Sequence, residues 1–127
     1  MADKQKILLI EDDPFIYEMY TTKFERAGYG VEVASTGKEA LELLKELRPD
    51  IVLLDILIPE MDGFEVLAAI RKNPSLKDIP VVMLTNLGQK EDIERGEKLG
   101  ARAYIVKAHF TPQEVVNKVK SILENKS

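Results

Sequence analysis

Four short apolar runs in this sequence each end on residues that can do chemistry. Ile7-Leu8-Leu9-Ile10 is followed by Glu11-Asp12-Asp13, and Ile51-Val52-Leu53-Leu54 by Asp55. Val81-Val82-Met83-Leu84 is followed by Thr85-Asn86, and Ala103-Tyr104-Ile105-Val106 by Lys107. Taken singly, each has an ordinary structural use. An acid before Pro14 caps a helix, Asp55 can close a turn, and a lone lysine is solvated. Taken together they form a set. Glu11, Asp12 and Asp55 would bring three carboxylates close, and like charges at short range repel. A hard divalent cation relieves that repulsion. Magnesium takes oxygen ligands and keeps several waters, so two carboxylates and one backbone carbonyl suffice. A carboxylate can also act as a nucleophile and form an aspartyl phosphate. The charge of an incoming phosphoryl group would be met by the metal on one side and Lys107 on the other, with a hydrogen bond from the Thr85 hydroxyl.

This set works only if the apolar runs are neighbouring strands of one sheet. Four of the runs are nearly continuous, which suits strands covered on both faces. A fifth, Val31-Glu32-Val33-Ala34, alternates more and reads as lying nearer an edge. Helical patterns lie between the runs. Pro14 to Ala27 carries Ile16, Met19, Tyr20, Phe24 and Ala27 on one stripe, and Gly28 stops it. Lys38 to Leu47 groups Ala40, Leu41, Leu44 and Leu47 ahead of Pro49, and Phe64 to Lys72 groups Phe64, Leu67, Ala68 and Ile70. Gln89 to Leu99 is the most polar, with Ile93, Gly96 and Leu99 on one side. Thr111-Pro112-Gln113-Glu114 is a capping box with proline at the first helical position. Val115, Val116, Val119, Ile122 and Leu123 follow as a stripe. Five strand–helix pairs imply an α/β fold, a parallel sheet with helices on both faces. Ligands of such sheets bind at the carboxyl ends of the strands, where the four sets of polar residues fall.

Composition narrows the classes. A chain of 127 residues reads as one domain, 1–127, with no second, effector domain. No apolar stretch approaches the ~20 residues of a membrane span, and Met1-Ala2-Asp3-Lys4-Gln5-Lys6 is too polar to open a signal peptide. The absence of cysteine excludes disulfides and thiolate chemistry and suits a reducing, cytoplasmic setting. A net charge of −4 gives no footprint for nucleic acid. His109, the only histidine, makes neither a metal site nor a relay.

With these residues in place, the chain resembles the response-regulator receiver domains of two-component signalling. The resemblance runs from Ile7 to Leu123. It is carried by Leu8-Leu9-Ile10-Glu11-Asp12-Asp13-Pro14, by Asp50 through Gly63, by Val81-Val82-Met83-Leu84-Thr85 and by Gly100-Ala101-Arg102-Ala103-Tyr104-Ile105-Val106-Lys107. It implies a flavodoxin-like, doubly wound fold with strand order 2-1-3-4-5 and Asp55 as phosphoacceptor. Asp12 and Asp55 would ligate magnesium through carboxylates, Leu57 through its carbonyl, and Glu11 through water. Thr85 and Lys107 would hold the phosphoryl oxygens. Thr85 and Tyr104 would be the switch pair. Such a module is not an enzyme with a separate substrate. It takes its phosphoryl group from a histidine kinase or a histidine phosphotransfer protein and signals by docking a downstream protein, as a monomer or weak dimer. The fourth helix, fifth strand and fifth helix are the expected docking face, and Phe15 a contact for the donor.

Two departures from the family pattern bear on the loops. Asn86 stands where a small residue is usual, and Ala108 stands where proline usually follows the lysine, in a loop one residue longer. A cis bond at a non-proline residue costs about 2.5–4 kcal/mol, so the Lys107–Ala108 bond is expected to be trans. Receivers that lose the phosphoryl group quickly carry polar residues two positions after the phosphoacceptor and two after the threonine. Here these are Leu57 and Leu87. Rival readings fit less well. A nucleotide-binding domain needs a glycine-rich turn after the first strand, and a haloacid-dehalogenase-type phosphatase needs Asp-x-Asp where this chain has Glu11. A receiver-like module that signals without phosphorylation is opposed by the intact acid, threonine and lysine set.

Overall fold

The computed structural model describes residues 4–125. The polar amino-terminal stretch and the last residues of the chain lie partly outside them. The elements alternate as the sequence predicts. They are β1 (Lys6–Ile10), α1 (Pro14–Arg26), β2 (Gly30–Ala34), α2 (Gly37–Leu43), β3 (Ile51–Leu54), α3 (Gly63–Lys72), β4 (Val81–Thr85), α4 (Lys90–Lys98), β5 (Ala103–Val106) and α5 (Pro112–Glu124). The five strands pair in parallel in the order β2-β1-β3-β4-β5. This is the flavodoxin-like arrangement, and β2, the alternating run, is an edge strand.

The continuous apolar strands feed two cores in turn. Leu8, Ile10, Val52, Leu54 and Met83 face one side and meet Ala40 and Leu44 of the α2 region and Phe64, Leu67 and Ile70 of α3. Ile7, Leu9, Ile51, Leu53, Val82, Leu84 and Ile105 face the other and meet Tyr20 and Phe24 of α1 and Val115, Val119 and Ile122 of α5. A pleat of period two between two helix layers needs apolar residues at every position, which is why these runs do not alternate.

The ends differ from expectation in two places. The spacing predicts a second helix through Leu47, but it ends at Leu43 and continues as turns. Leu44 is buried there all the same. After β5 the chain enters a one-turn 3₁₀ helix, Lys107–His109, which takes up the longer loop. No cis peptide bond occurs among the described residues, so Lys107–Ala108 is trans as expected.

Arg71 at the end of α3 ties the opposite edge of the sheet together. Its Nε and Nη2 donate to the Gly100 carbonyl at 3.0 and 2.8 Å, and its Nη1 donates to the carbonyls of Lys77 and Ile79 at 3.0 and 2.9 Å. One guanidinium thus holds the turns entering β4 and β5 against α3. Hydrogen bonds to charged groups contribute about 1.5–3 kcal/mol each and are not additive. Arg71→Ala is therefore expected to lower stability by about 2–3 kcal/mol, read from the urea midpoint at unchanged slope. A loss under half a kilocalorie would show that the clamp is ornamental.

Candidate functional site

The parallel register brings the carboxyl ends of β1, β3, β4 and β5 side by side. The Glu11 N–H bonds the Ala34 carbonyl at 3.0 Å and the Asp55 N–H bonds the Ile10 carbonyl at 3.0 Å, so the two acids continue the ladder beyond their strands. Glu11 is 3% exposed, Asp55 8% and Thr85 0%, whereas Asp12 is open to solvent. One carboxylate oxygen from each of Glu11, Asp12 and Asp55 lies within 4.8 Å of the others. The three acids singled out in the sequence therefore form one group that can hold a hard cation, Asp12 supplying the solvent-facing ligand.

Lys107 enters this group directly. Its ammonium donates to Asp55 Oδ2 at 3.1 Å and to Glu11 Oε1. Where the sequence leaves the carboxylates to a metal to neutralise, a part-buried ammonium already bridges two of them. Burial alone would push Lys107 toward its neutral form. Its bonds to Glu11 and Asp55 outweigh that and hold its pKa above the usual lysine range. Burial pushes the Glu11 carboxyl up, while Lys107 and the Asp13 N–H, which donates to Glu11 Oε2 at 3.1 Å, pull it back. The geometry favours the charged pair, because both Glu11 oxygens have donors.

The other Asp55 oxygen, Oδ1, accepts from the Leu57 N–H at 3.3 Å. Asp55 is thus oriented from both sides. The loop after it is shaped by three residues. Glu60 adopts φ 72°. Asp62 caps α3 in a reciprocal box with Glu65, at 3.0 and 3.1 Å. Gly63 lets the helix start against the strand end, for a Cβ there would meet the Asp55 carbonyl oxygen at 2.5 Å. The sequence carries this signal as Asp62-Gly63-Phe64-Glu65, an Asp-x-x-Glu box opening an apolar helix.

On the far side, the Thr85 hydroxyl accepts from the Leu87 N–H at 3.3 Å, and the Tyr104 hydroxyl donates to the Leu87 carbonyl. Leu87 is therefore the backbone link between the two switch candidates, a part the sequence reading gave it no reason to hold. Burial, with Asp92 and Asp55 adding to it, raises the Tyr104 phenol to about 12. Phe15 is 87% exposed and Leu57 63%, the two large apolar side chains standing in solvent among the described residues.

The doubly wound parallel sheet thus carries, at its carboxyl edge, a buried acid, a bridging lysine and a carboxylate group able to hold a metal ion. Residues 7–120 match the family described as "Response regulator receiver domain". The chain belongs to that family. It is 40% identical over 123 residues to a "Probable transcriptional regulator ycf27" of Guillardia theta, covering 97% of this chain and 47% of that protein. The chain spans about half the length of the curated relatives it matches. Among solved structures it is similar to a putative response regulator from Chloroflexus aurantiacus, at TM-score 0.88, 36% identity and coverage of 97% of this chain and 100% of that one. It is also similar to the phosphorylated cyanobacterial phytochrome response regulator RcpA, at TM-score 0.87, 29% identity and coverage of 98% and 97%. The Mn(2+)-bound form of response regulator Rcp1 matches at TM-score 0.81, 28% identity and coverage of 95% and 93%. No helix among the described residues is long and apolar enough to cross a membrane.

Proposed function

We propose that this receiver accepts a phosphoryl group on Asp55 from a phosphohistidine, in a reaction that requires magnesium, and uses it to alter a partner-binding surface. The observation that carries the reading is the placement of Lys107 between Asp55 and Glu11, beside the open carboxylate of Asp12. In the transfer the phosphorus–nitrogen bond of the donor breaks and an acyl phosphate forms on an Asp55 oxygen. The group arrives with negative charge. Lys107, already at the nucleophile, can pass one of its bonds from Asp55 to a phosphoryl oxygen. The Thr85 hydroxyl spends only its acceptor on Leu87, which leaves its proton to donate. Asp12 and Asp55 would hold the magnesium with the Leu57 carbonyl, Glu11 acting through water, and the ion would supply neutralising charge at the phosphoryl oxygens. Phe15 opens the helix that follows the acidic loop and Leu57 lies two residues past Asp55, and their exposed side chains suit an apolar face of the donor.

A small phosphodonor with magnesium should add the mass of one phosphoryl group to the intact protein, and removal of magnesium by chelation should prevent it. An unchanged mass in magnesium would favour instead a phosphorylation-independent interaction module. Magnesium alone should also stabilise the fold. At ten times its dissociation constant the gain is about 1.4 kcal/mol, which moves the melting temperature up by about 4–6 °C. Asp12→Ala should remove most of that shift. An equal shift in this variant would place the ion elsewhere.

A further inference from the structure

The amino edge of the sheet, opposite the acidic group, gathers charge of the other sign. The turns that enter β3, β4 and β5 enclose an open cleft of about 850 Å³, and Arg48, Arg71 and Arg102 line it. A volume of that order is usual for a small-molecule site. Two acids, Asp50 and Asp78, stand in the same walls against the three guanidiniums. None of the three guanidiniums makes an ion pair among the described residues. Arg71 is fixed by its bonds to the carbonyls of Gly100, Lys77 and Ile79. Those dipoles occupy its donors but carry no net charge to balance the cation. Burial accordingly pushes the Arg71 pKa below the usual arginine range, with Asp78 opposing. Arg48 places one bond, from Nη1 to the Ser75 carbonyl, which leaves the rest of its fork of donors open. The Arg102 side chain is exposed and bonds no described residue, while its backbone N–H is tied to the Val81 carbonyl at 2.8 Å. Pro49, Ile79, Pro80 and Ala101 make the remaining wall apolar.

We propose that this cleft binds a small organic oxyanion, a carboxylate or a phosphate ester carried on an apolar body. Guanidinium forks match the paired oxygens of both groups. The anionic group meets the open donors of Arg48 and Arg102 beside the fixed charge of Arg71. The apolar body lies against Pro49, Ile79 and Pro80, which is what selects an organic anion over free phosphate. Asp50 and Asp78 repel a run of acids, so a single anionic group suits the cleft better than an acidic polypeptide does. The site lies at the edge away from Asp55 and does not depend on whether Asp55 accepts a phosphoryl group.

The test is an NMR titration of the whole isotope-labelled chain, without magnesium and at constant ionic strength. The probes are phenyl phosphate, benzoate, inorganic phosphate and a glutamate-rich peptide. Phenyl phosphate and benzoate should give saturable shifts, confined to the amides of Ser75, Asp78 and Gly100 to Arg102 and to the Nε signals of the three arginines. Inorganic phosphate, lacking the apolar body, should bind about tenfold more weakly than phenyl phosphate. Arg48→Ala and Arg102→Ala should each weaken phenyl phosphate about tenfold, the loss of a charge-assisted bond. Both side chains are exposed, so the fold should persist, and the amide spectrum reports it directly. Asp78→Asn removes an opposing charge and should tighten binding about threefold. Shifts that do not saturate, or that spread over the whole basic surface, would overturn the proposal. So would an affinity unchanged in both arginine variants, free phosphate binding as tightly as phenyl phosphate, or saturation by the peptide alone.

Discussion

Asp55→Asn is expected to take up no phosphoryl group, from a small phosphodonor or from a phosphohistidine protein, while keeping the fold of the wild type. The amide nitrogen and oxygen of asparagine do not form an acyl phosphate, and no other acid in the group is held as Asp55 is. Glu11 has both oxygens engaged, by Lys107 and by the Asp13 N–H, and Asp12 faces solvent. The fold should survive because the replacement has nearly the same shape. Its amide oxygen can still accept from the Leu57 N–H or from Lys107, the partners of the carboxylate it replaces. Without metal, two effects oppose each other. Removing one carboxylate lowers repulsion within the acidic group, but it also weakens the attraction that holds the part-buried Lys107 ammonium. The net change in stability should stay within about 1 kcal/mol, far below the complete loss of phosphoryl uptake. Intact mass after treatment with phosphodonor and magnesium decides the first point, and thermal unfolding the second. Undiminished incorporation in Asp55→Asn would remove Asp55 from the role.

Why so much of this site could be read before any coordinates has a physical reason. In a parallel sheet, one face of the chemistry is the carboxyl edge, and every strand announces its end by the change from apolar to polar residues. Asp55, Thr85 and Lys107 each follow their run directly, so the residue types and the topology together fix which side chains meet. What escaped were the interactions whose partners are backbone atoms. The Leu87 carbonyl and N–H link Tyr104 to Thr85, and neither depends on the leucine side chain, so nothing in the residue's identity points to them. The Arg71 clamp is similar, with all three of its acceptors being carbonyls in turns. The end of α2 is not legible in the spacing, because Leu44 and Leu47 keep the helical pattern after the helix has stopped at Leu43. The apolar pattern records what is buried, and turns can bury a leucine as well as a helix can.

The acyl phosphate, once formed, should be long-lived, surviving for minutes or more after the donor is removed. Its hydrolysis needs a water placed in line with the phosphorus–oxygen bond, and positioning a nucleophile is a large part of phosphoryl-transfer catalysis. Neither Leu57 nor Leu87 carries a side-chain donor or acceptor to hold that water. The two contribute differently. Leu57 is 63% exposed, and its backbone N–H donates to Asp55 Oδ1, so its side chain leaves the backbone next to the phosphoacceptor. Leu87 is half-buried, packed against the core near Tyr104 with both backbone groups engaged. Leu57→Asn is accordingly the more informative single change, since it gives the exposed position an amide without disturbing packing. Leu87→Glu exchanges packed apolar surface for a charge and shifts the loop as well. A positioned polar group contributes about a hundredfold at the low end of acid–base effects, so Leu57→Asn together with Leu87→Glu should speed the decay by about tenfold to a hundredfold. The measurement is the loss of phosphoprotein with time in excess magnesium, after the donor has been removed. Decay within seconds in the wild type would contradict the expectation, and an unchanged rate in the double variant would show that the two leucines do not govern access of water to Asp55.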